Sequence, residues 1–244
     1  MSCILCSSNE YKELRTIKEY KIVKCAQCTL VYTQPLPKID ELIKKYSQHI
    51  PEKFKSHKGL VRKYRYYFLT RSIKKHFQKD KYIRLLEIGC SYGRLLSSLQ
   101  LDKQFKATGI DLTDVSLKYA RSLGLNVLKG TLGSQAFPNE SYDVVVALQT
   151  IEHVLDPISE LTEINRILSK KGIFVATVPC VTHIKSKIAG MKWKYYAPPG
   201  HLWYFSPRTF KLLLSKTGFQ PVTVTCFFRK AYLKIIAKKA IIPT

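Results

Sequence analysis

An α/β chain with a doubly wound, mostly parallel sheet, preceded by a small cysteine ribbon and a helical linker, is the architecture this sequence predicts. Three observations predict it. From Tyr82 onward, apolar strand-like runs alternate with helix-like segments, the pattern of a sheet covered on both faces. The first of those strands runs straight into a glycine-containing turn and a helix, at Leu85–Gly93. Two C-x-x-C pairs, Cys3/Cys6 and Cys25/Cys28, stand at the front of the chain. The 244 residues suffice for one full core and one small module, which divides the chain into 1–37, 38–80 and 81–244.

The ribbon comes first. Eighteen residues separate its two cysteine pairs, room for a β-hairpin between two metal knuckles. Four thiolates at this spacing suit a tetrahedral zinc with no open position, so Cys3, Cys6, Cys25 and Cys28 are expected to hold a structural metal. Residues 38–80 have helical character. Leu60, Tyr64, Tyr67 or Phe68, and Phe77 fall near helical spacing in a basic, aromatic stretch.

The core elements follow in order. Strands are expected at Tyr82–Ile88, Phe105–Ile110, Asn126–Leu128, Tyr142–Leu148 and Ile173–Val178, with Val144, Val145 and Val146 marking a strand buried on both faces. Helices are expected at Arg94–Leu101, Asp114–Leu123 and Ile158–Leu168, the last closed by Lys170, Lys171 and Gly172. A final helix opens at Ser206 with Pro207 in its first position and stops at Gly218. Two more strands, Val222–Phe228 and Tyr232–Lys238, end the chain.

Ligands of doubly wound sheets bind at the carboxyl ends of the strands, which is where the turn after Ile88 lies. Its glycines, Gly89 and Gly93, let backbone approach a ligand closely. A dinucleotide turn needs G-x-G-x-x-G to hold a pyrophosphate. Here the spacing is G-x-x-x-G, and Glu87 stands two residues before Gly89, where a carboxylate repels phosphate and attracts an ammonium group. Asp111 directly follows the second strand, a position suited to accepting hydrogen bonds from ribose hydroxyls.

With these residues in view, the chain resembles class I S-adenosylmethionine-dependent methyltransferases with their Rossmann-like core, and within them the ubiquinone-type and glycan-type O-methyltransferases. Leu85–Gly93 and Gly109-Ile110-Asp111 resemble the first two motifs of that family. Phe137–Val145 resembles the approach to the fourth strand, and Gln149–Val154 the E-H segment after it. The third-strand loop departs from the pattern, with Thr131 and Leu132 after Gly130 in place of an acid. The resemblance implies S-adenosylmethionine as cofactor, with Glu87, Gly89, Cys90, Gly93, Asp111, Leu112, Thr131 and Gln149 around it. Cys25–Cys28 followed by Leu30-Val31-Tyr32 and Pro35-Leu36-Pro37 is similar to the zinc-ribbon leader of some methyltransferases of bacterial sugar and polysaccharide pathways.

On the acceptor side, the insertion from Cys180 to Phe205 is rich in aromatic residues and placed to cover an acceptor. The other reading of those aromatics is packing onto the domain. A base is needed only when the acceptor loses a proton, and His153, followed by His201, is the expected candidate, as base or acceptor ligand. The expected acceptor is a sugar, glycan precursor or similar small molecule. RNA methylation and a non-catalytic zinc-ribbon binding module are the alternatives.

Charge adds a hint about partners. Residues 1–80 hold 18 Lys/Arg against 7 Asp/Glu, residues 81–180 hold 11 against 10, and residues 181–244 hold 12 against none. The basic flanks either form a solvated face or offer a positive surface to an anionic acceptor, an anionic membrane or, as second choice, nucleic acid. No apolar run is long enough to span a bilayer, and the first ten residues do not read as a secretory signal. A cytoplasmic location, with peripheral membrane contact as an option, is the expectation.

Overall fold

The computed structural model describes residues 1–42, 60–78, 81–227 and 230–240. Much of the expected helical linker 38–80 therefore lies outside the described residues, as does Phe228 at the end of its expected strand.

Two sheets organise the chain. The smaller has the order β1-β2-β3-β9, formed by β1 Tyr11–Ile17, β2 Tyr20–Cys25, β3 Val31–Gln34 and β9 Trp203–Tyr204. All three pairings are antiparallel. The larger has the order β10-β11-β8-β7-β4-β5-β6. Its parallel part comprises β4 Ile83–Ile88, β5 Phe105–Asp111, β6 Val127–Lys129, β7 Tyr142–Leu148 and β8 Leu168–Pro179. The hairpin β10 Phe219–Cys226 and β11 Tyr232–Lys239 completes it, with β11 antiparallel to β8. Pro221 is tolerated in β10 because that strand is an edge and breaks register there.

Period-two alternation sends successive side chains to opposite faces of the large sheet. Leu86, Val145, Ala147 and Phe174 join the core beneath α4 Pro157–Ile167 and α6 Pro207–Lys216, with Leu161, Ile164, Phe210 and Leu213 buried against them. Leu85, Val144, Val146 and Val175 face the other way, toward α1 Leu60–Lys74 and α2 Arg94–Leu99. Two further helices are α3 Asp114–Ser122, beside α2, and α5 Ile184–Ala189. Both helices of the first face are well capped. Asp156 accepts from the N–H groups of Ile158 and Ser159, and Ser206 and Thr209 form a reciprocal capping box.

Several expectations are corrected. Tyr67 and Phe68 are exposed, and α1 turns Ile73, with Tyr66 and Leu69, toward the sheet, where Phe77 just beyond the helix packs as its spacing suggested. Lys170, Lys171 and Gly172 do not close α4. The helix ends at Ile167, and the chain enters β8 at once, with a bulge opposite Tyr142/Val144. β10 begins at Phe219, earlier than expected, because Gly218 reverses the chain with φ +73° and its carbonyl accepts from Asn165.

The aromatic insertion is also more structural than an acceptor cover. Trp203, Tyr204 and Phe205 are almost fully buried, and Trp203 and Tyr204 extend the small sheet through β3. The Trp203 indole donates to the Val154 carbonyl at 2.7 Å. Trp193 packs with Ile22, Val31 and Tyr204. Ribbon and large domain thus share one continuous core, in which Cys3, Leu5 and Val23 cluster with Leu202, Trp203 and Ile151.

Candidate functional site

The strand order reverses at β4, with β5 on one side and β7 on the other, and this switch point opens a crevice at the carboxyl ends of these strands. Gly89 leaves β4 with φ +68°, and a Cβ there would stand 2.6 Å from Thr150 Oγ1. Gly93, also at φ +68°, starts α2, where a Cβ would collide with Leu125. Between them Ser91 adopts φ +50°, a strained conformation for a residue with a side chain. Its N–H donates to Asp111 Oδ2 at 2.8 Å, so the end of β5 holds the turn after β4 in place. Asp111 Oδ1 accepts from the N–H and the hydroxyl of Thr113 at 2.9 and 2.6 Å. Three of the carboxylate's roughly four acceptor positions are then used, which leaves one on Oδ2.

Glu87 lies on β4 beside this turn and is 5% exposed, with no donor to Oε2. Burial pushes its carboxyl well above the usual carboxylate range, and the negative charge of Asp111 adds to that push, while the Leu96 N–H opposes it. A buried acid without a full set of donors is costly unless a cationic or donor group reaches it. The site's chemistry therefore fits a ligand carrying an ammonium and a ribose.

The other expected cofactor contacts are arranged around the same crevice. Cys90 is buried, and its thiol fills the space above Gly109, where a Cβ would be 2.7 Å from Sγ. Its N–H donates to Ile110 and its carbonyl accepts from Gly93, so Cys90 shapes the turn. Leu112 is half-buried just after β5. Thr131 is exposed in the loop after β6, tied to the site by the Gly130 N–H, which donates to the Asp111 carbonyl at 3.0 Å. Gln149, at φ +57°, ends β7 and donates its N–H to Thr177 on β8 at 2.7 Å.

His153 and His201 come together from 48 positions apart in the chain, their rings edge to face with centroids 4.6 Å apart. His153 Nδ1 lies 2.5 Å from the Gly200 carbonyl, a contact that only a protonated Nδ1 makes favourably, so Nε2 is the basic nitrogen of the neutral ring. Nε2 is 3.9 Å from Glu152 Oε1. Glu152 was not singled out by the sequence reading beyond the E-H pattern. It is fully buried, neither carboxylate oxygen has a hydrogen-bond donor, and burial pushes it up to about 8. Its backbone carbonyl accepts from the N–H groups of Leu202 and Trp203, at 2.9 and 3.3 Å. Glu152 sits in the turn beyond β7, between Gln149-Thr150-Ile151 and His153, where the local sequence carries no sign of burial.

The four ribbon cysteines converge as their spacing implied, with all sulfurs within 4.8 Å of one another. Cys3 and Cys28 sulfurs are 3.4 Å apart and Cys6 and Cys25 sulfurs 3.5 Å apart. Tetrahedral zinc with bonds of about 2.3 Å needs separations of roughly 3.8 Å, so the set fits after a small adjustment. The two knuckles are backbone copies. Cys3 and Cys25 donate N–H bonds to Ser8 and Leu30, each five residues on, and Ser7 and Thr29 take φ +59° and +67°.

Comparison with known proteins agrees with this architecture. Residues 61–224 match the family model described as a methyltransferase domain, which begins after the ribbon. A ubiquinone biosynthesis O-methyltransferase of Cereibacter sphaeroides is 27% identical over 178 residues, covering 64% of this chain and 70% of that protein. One from Ruegeria pomeroyi is 28% identical over 177 residues with the same coverage. Among solved structures, a methyltransferase of Thermotoga maritima described as a possible histamine N-methyltransferase superposes with a TM-score of 0.62 at 22% identity, covering 81% of this chain and 99% of that one. An S-adenosylmethionine-dependent methyltransferase of Archaeoglobus fulgidus gives 0.60 at 20% identity, covering 83% and 100%.

Proposed function

The chain belongs to the methyltransferase domain family and is an S-adenosylmethionine-dependent methyltransferase, and from that premise we propose that it O-methylates a hydroxyl of a sugar, glycan precursor or similar small acceptor. The cofactor part of the reading is carried by the pair of carboxylates at the ends of adjacent strands, buried Glu87 on β4 and Asp111 on β5, and the hydroxyl acceptor by His153, whose Nε2 is left basic by the Gly200 contact. When bound, S-adenosylmethionine supplies an electrophilic methyl group on a sulfonium. Glu87 attracts the ammonium of the methionine moiety, and Asp111 accepts from a ribose hydroxyl. Gly89 and Gly93 keep the turn free of side chains, while Leu112, Thr131 and Gln149 border it from the neighbouring strand ends.

A hydroxyl acceptor must lose its proton for the oxygen to attack. In this reading His153 Nε2 takes that proton, with the Gly200 carbonyl fixing the tautomer. His201 packs edge to face against the same ring and orients it. The ribbon zinc is structural in the proposal, because four thiolates leave the metal no open position.

A phenolic acceptor is the second reading, favoured by the relatives named for ubiquinone biosynthesis. RNA methylation, with the zinc ribbon and the basic stretch 57–79 as the binding surface, is the less favoured alternative, and the buried Trp193, Trp203 and Tyr204 of the insertion would add no base stacking to it. Labelled cofactor offered with pools of sugar nucleotides, glycan precursors, phenols and RNA tests the reading. Label in a sugar or glycan hydroxyl supports it, label in a phenol promotes the second reading, and label in RNA overturns both.

A further inference from the structure

The insertion after β8 leaves the sheet at Cys180 and returns at Phe205, its two ends tied by a bridge between those residues. Between them α5 and the single turn Gly190–Lys192 form a short two-faced module. Its inner face is firmly seated. Trp193 is 4% exposed against the ribbon sheet, Ser186 is buried, and His183 caps α5 by accepting from the Lys185 N–H at 3.0 Å. The outer face does not follow the usual rule for a surface. Ile184, Ile188 and Met191 are 56%, 79% and 36% exposed; Ile184 and Ile188 stand one turn apart on α5, and Met191 follows on the next short turn.

Four exposed lysines, Lys185, Lys187, Lys192 and Lys194, lie within the same eleven residues. Arg15 of β1 reaches the Met191 carbonyl and adds a further cation beside it. No acidic residue occurs anywhere from 181 to 244. Exposed aliphatic side chains interleaved with lysines are what an interfacial segment needs, with aliphatic groups entering the acyl boundary and ammonium groups meeting anionic headgroups. Nucleic acid would be served by the lysines and not by the isoleucines. A second copy of this chain would bring like charge to the contact.

We infer that residues 184–194 are a docking surface for an anionic lipid membrane, on which the enzyme sits peripherally. No helix among the described residues is long and apolar enough to cross a bilayer, so attachment through this surface would be reversible. The module follows the carboxyl end of β8, the same end of the sheet as the Glu87–Asp111 crevice, so docking would hold the active-site end near the membrane. The inference concerns a partner surface and stands independently of which acceptor is methylated.

Flotation of the full-length protein with vesicles of phosphatidylcholine containing about 30% phosphatidylglycerol, and of phosphatidylcholine alone, tests it across a salt series. Binding is expected to the anionic vesicles, at least tenfold weaker to the neutral ones, and weakening with salt. Each lysine near the surface strengthens binding roughly fivefold, so Gln at all four lysine positions should remove most of it. The triple variant Ile184→Ser, Ile188→Ser, Met191→Ser keeps every charge and should still lose tenfold or more, with cofactor affinity and unfolding temperature unchanged as the sign of an intact fold. If the triple variant floats as well as the parent, charge alone drives adsorption and the docking surface is refuted. Absence of vesicle binding, or a dimer in sedimentation that the triple variant converts to monomer, would equally overturn it.

Discussion

Thr33, on the third strand of the cysteine ribbon, donates its hydroxyl to the backbone carbonyl of His201 at 3.1 Å and its N–H to Leu202 at 2.8 Å. Leu202 in turn donates to the carbonyl of Glu152, next to His153. The ribbon is therefore hydrogen-bonded to the segment that positions both histidines.

That connection gives the first prediction. The protein should carry one zinc per chain, and Cys25→Ser should lose it together with order in β2 and β3. Metal binding of this kind contributes on the order of 10 kcal/mol to local folding. Turnover should fall through a raised acceptor KM, while S-adenosylmethionine affinity changes little, because Glu87 and Asp111 lie on other strands. Elemental analysis and separate titrations of the two substrates check it. Loss of cofactor binding in proportion to zinc would contradict the coupling described.

Trp203 provides the packing test. It is 1% exposed, joins the ribbon to the large domain, and satisfies the Val154 carbonyl. Trp203→Ala should destabilise the fold by about 3–5 kcal/mol, measured by urea unfolding. A cost under 1 kcal/mol would show that the two sheets are energetically independent.

Much of this organisation was legible in the sequence, for definite physical reasons. Val144–Val146 and Leu85–Ile88 lie in strands buried on both faces, so their apolar runs mark them without any tertiary information. Ser206-Pro207 marks a helix start because capping is local chemistry. What stayed hidden depended on distant partners. Trp203 and Tyr204 read as acceptor-covering aromatics because nothing nearby reveals their pairing with Tyr32 and Val31. Helical spacing alone did not separate Tyr67 and Phe68, which are exposed, from Phe77, which packs toward the sheet, because a lone helix does not show which of its sides meets a sheet. Glu152 went unnoticed as a buried acid because burial is set by Leu202 and Trp203, fifty positions later.

Glu152 leads to a pH prediction. Its carboxyl is pushed up to about 8 in the folded chain by burial, above its ordinary value of 4.5. The folded state then binds the proton more tightly than the unfolded state, so stability falls as pH rises from about 4.5 toward 8. Glu152→Gln removes this contribution and should raise the unfolding temperature more at pH 8 than at pH 5. A difference of even 1 kcal/mol corresponds to roughly 2–4 °C at this chain length. Equal shifts at both pH values would place an ionised Glu152 in the resting fold.

His153 is tested by kinetics. His153→Gln should lower kcat by about 10²–10⁴-fold for a hydroxyl acceptor, with cofactor affinity unchanged. Its wild-type pH profile should show a basic limb lost on acidification, absent in the variant. An unchanged kcat would assign the histidine to packing against His201 alone.

The central claim is that S-adenosylmethionine binds at the ends of β4 and β5 through Glu87 and Asp111, and calorimetry tests it most directly. Glu87→Gln preserves shape while removing charge, whereas Asp111→Asn also gives up one of the acceptors that hold Ser91 and Thr113, so the unfolding temperature of each variant is measured beside its affinity. A hydrogen bond to a charged group contributes about 1.5–3 kcal/mol, so each variant should bind S-adenosylmethionine roughly tenfold or more weakly than the parent. Unchanged affinity in both variants, or binding of NAD in place of S-adenosylmethionine by the parent, would contradict the account.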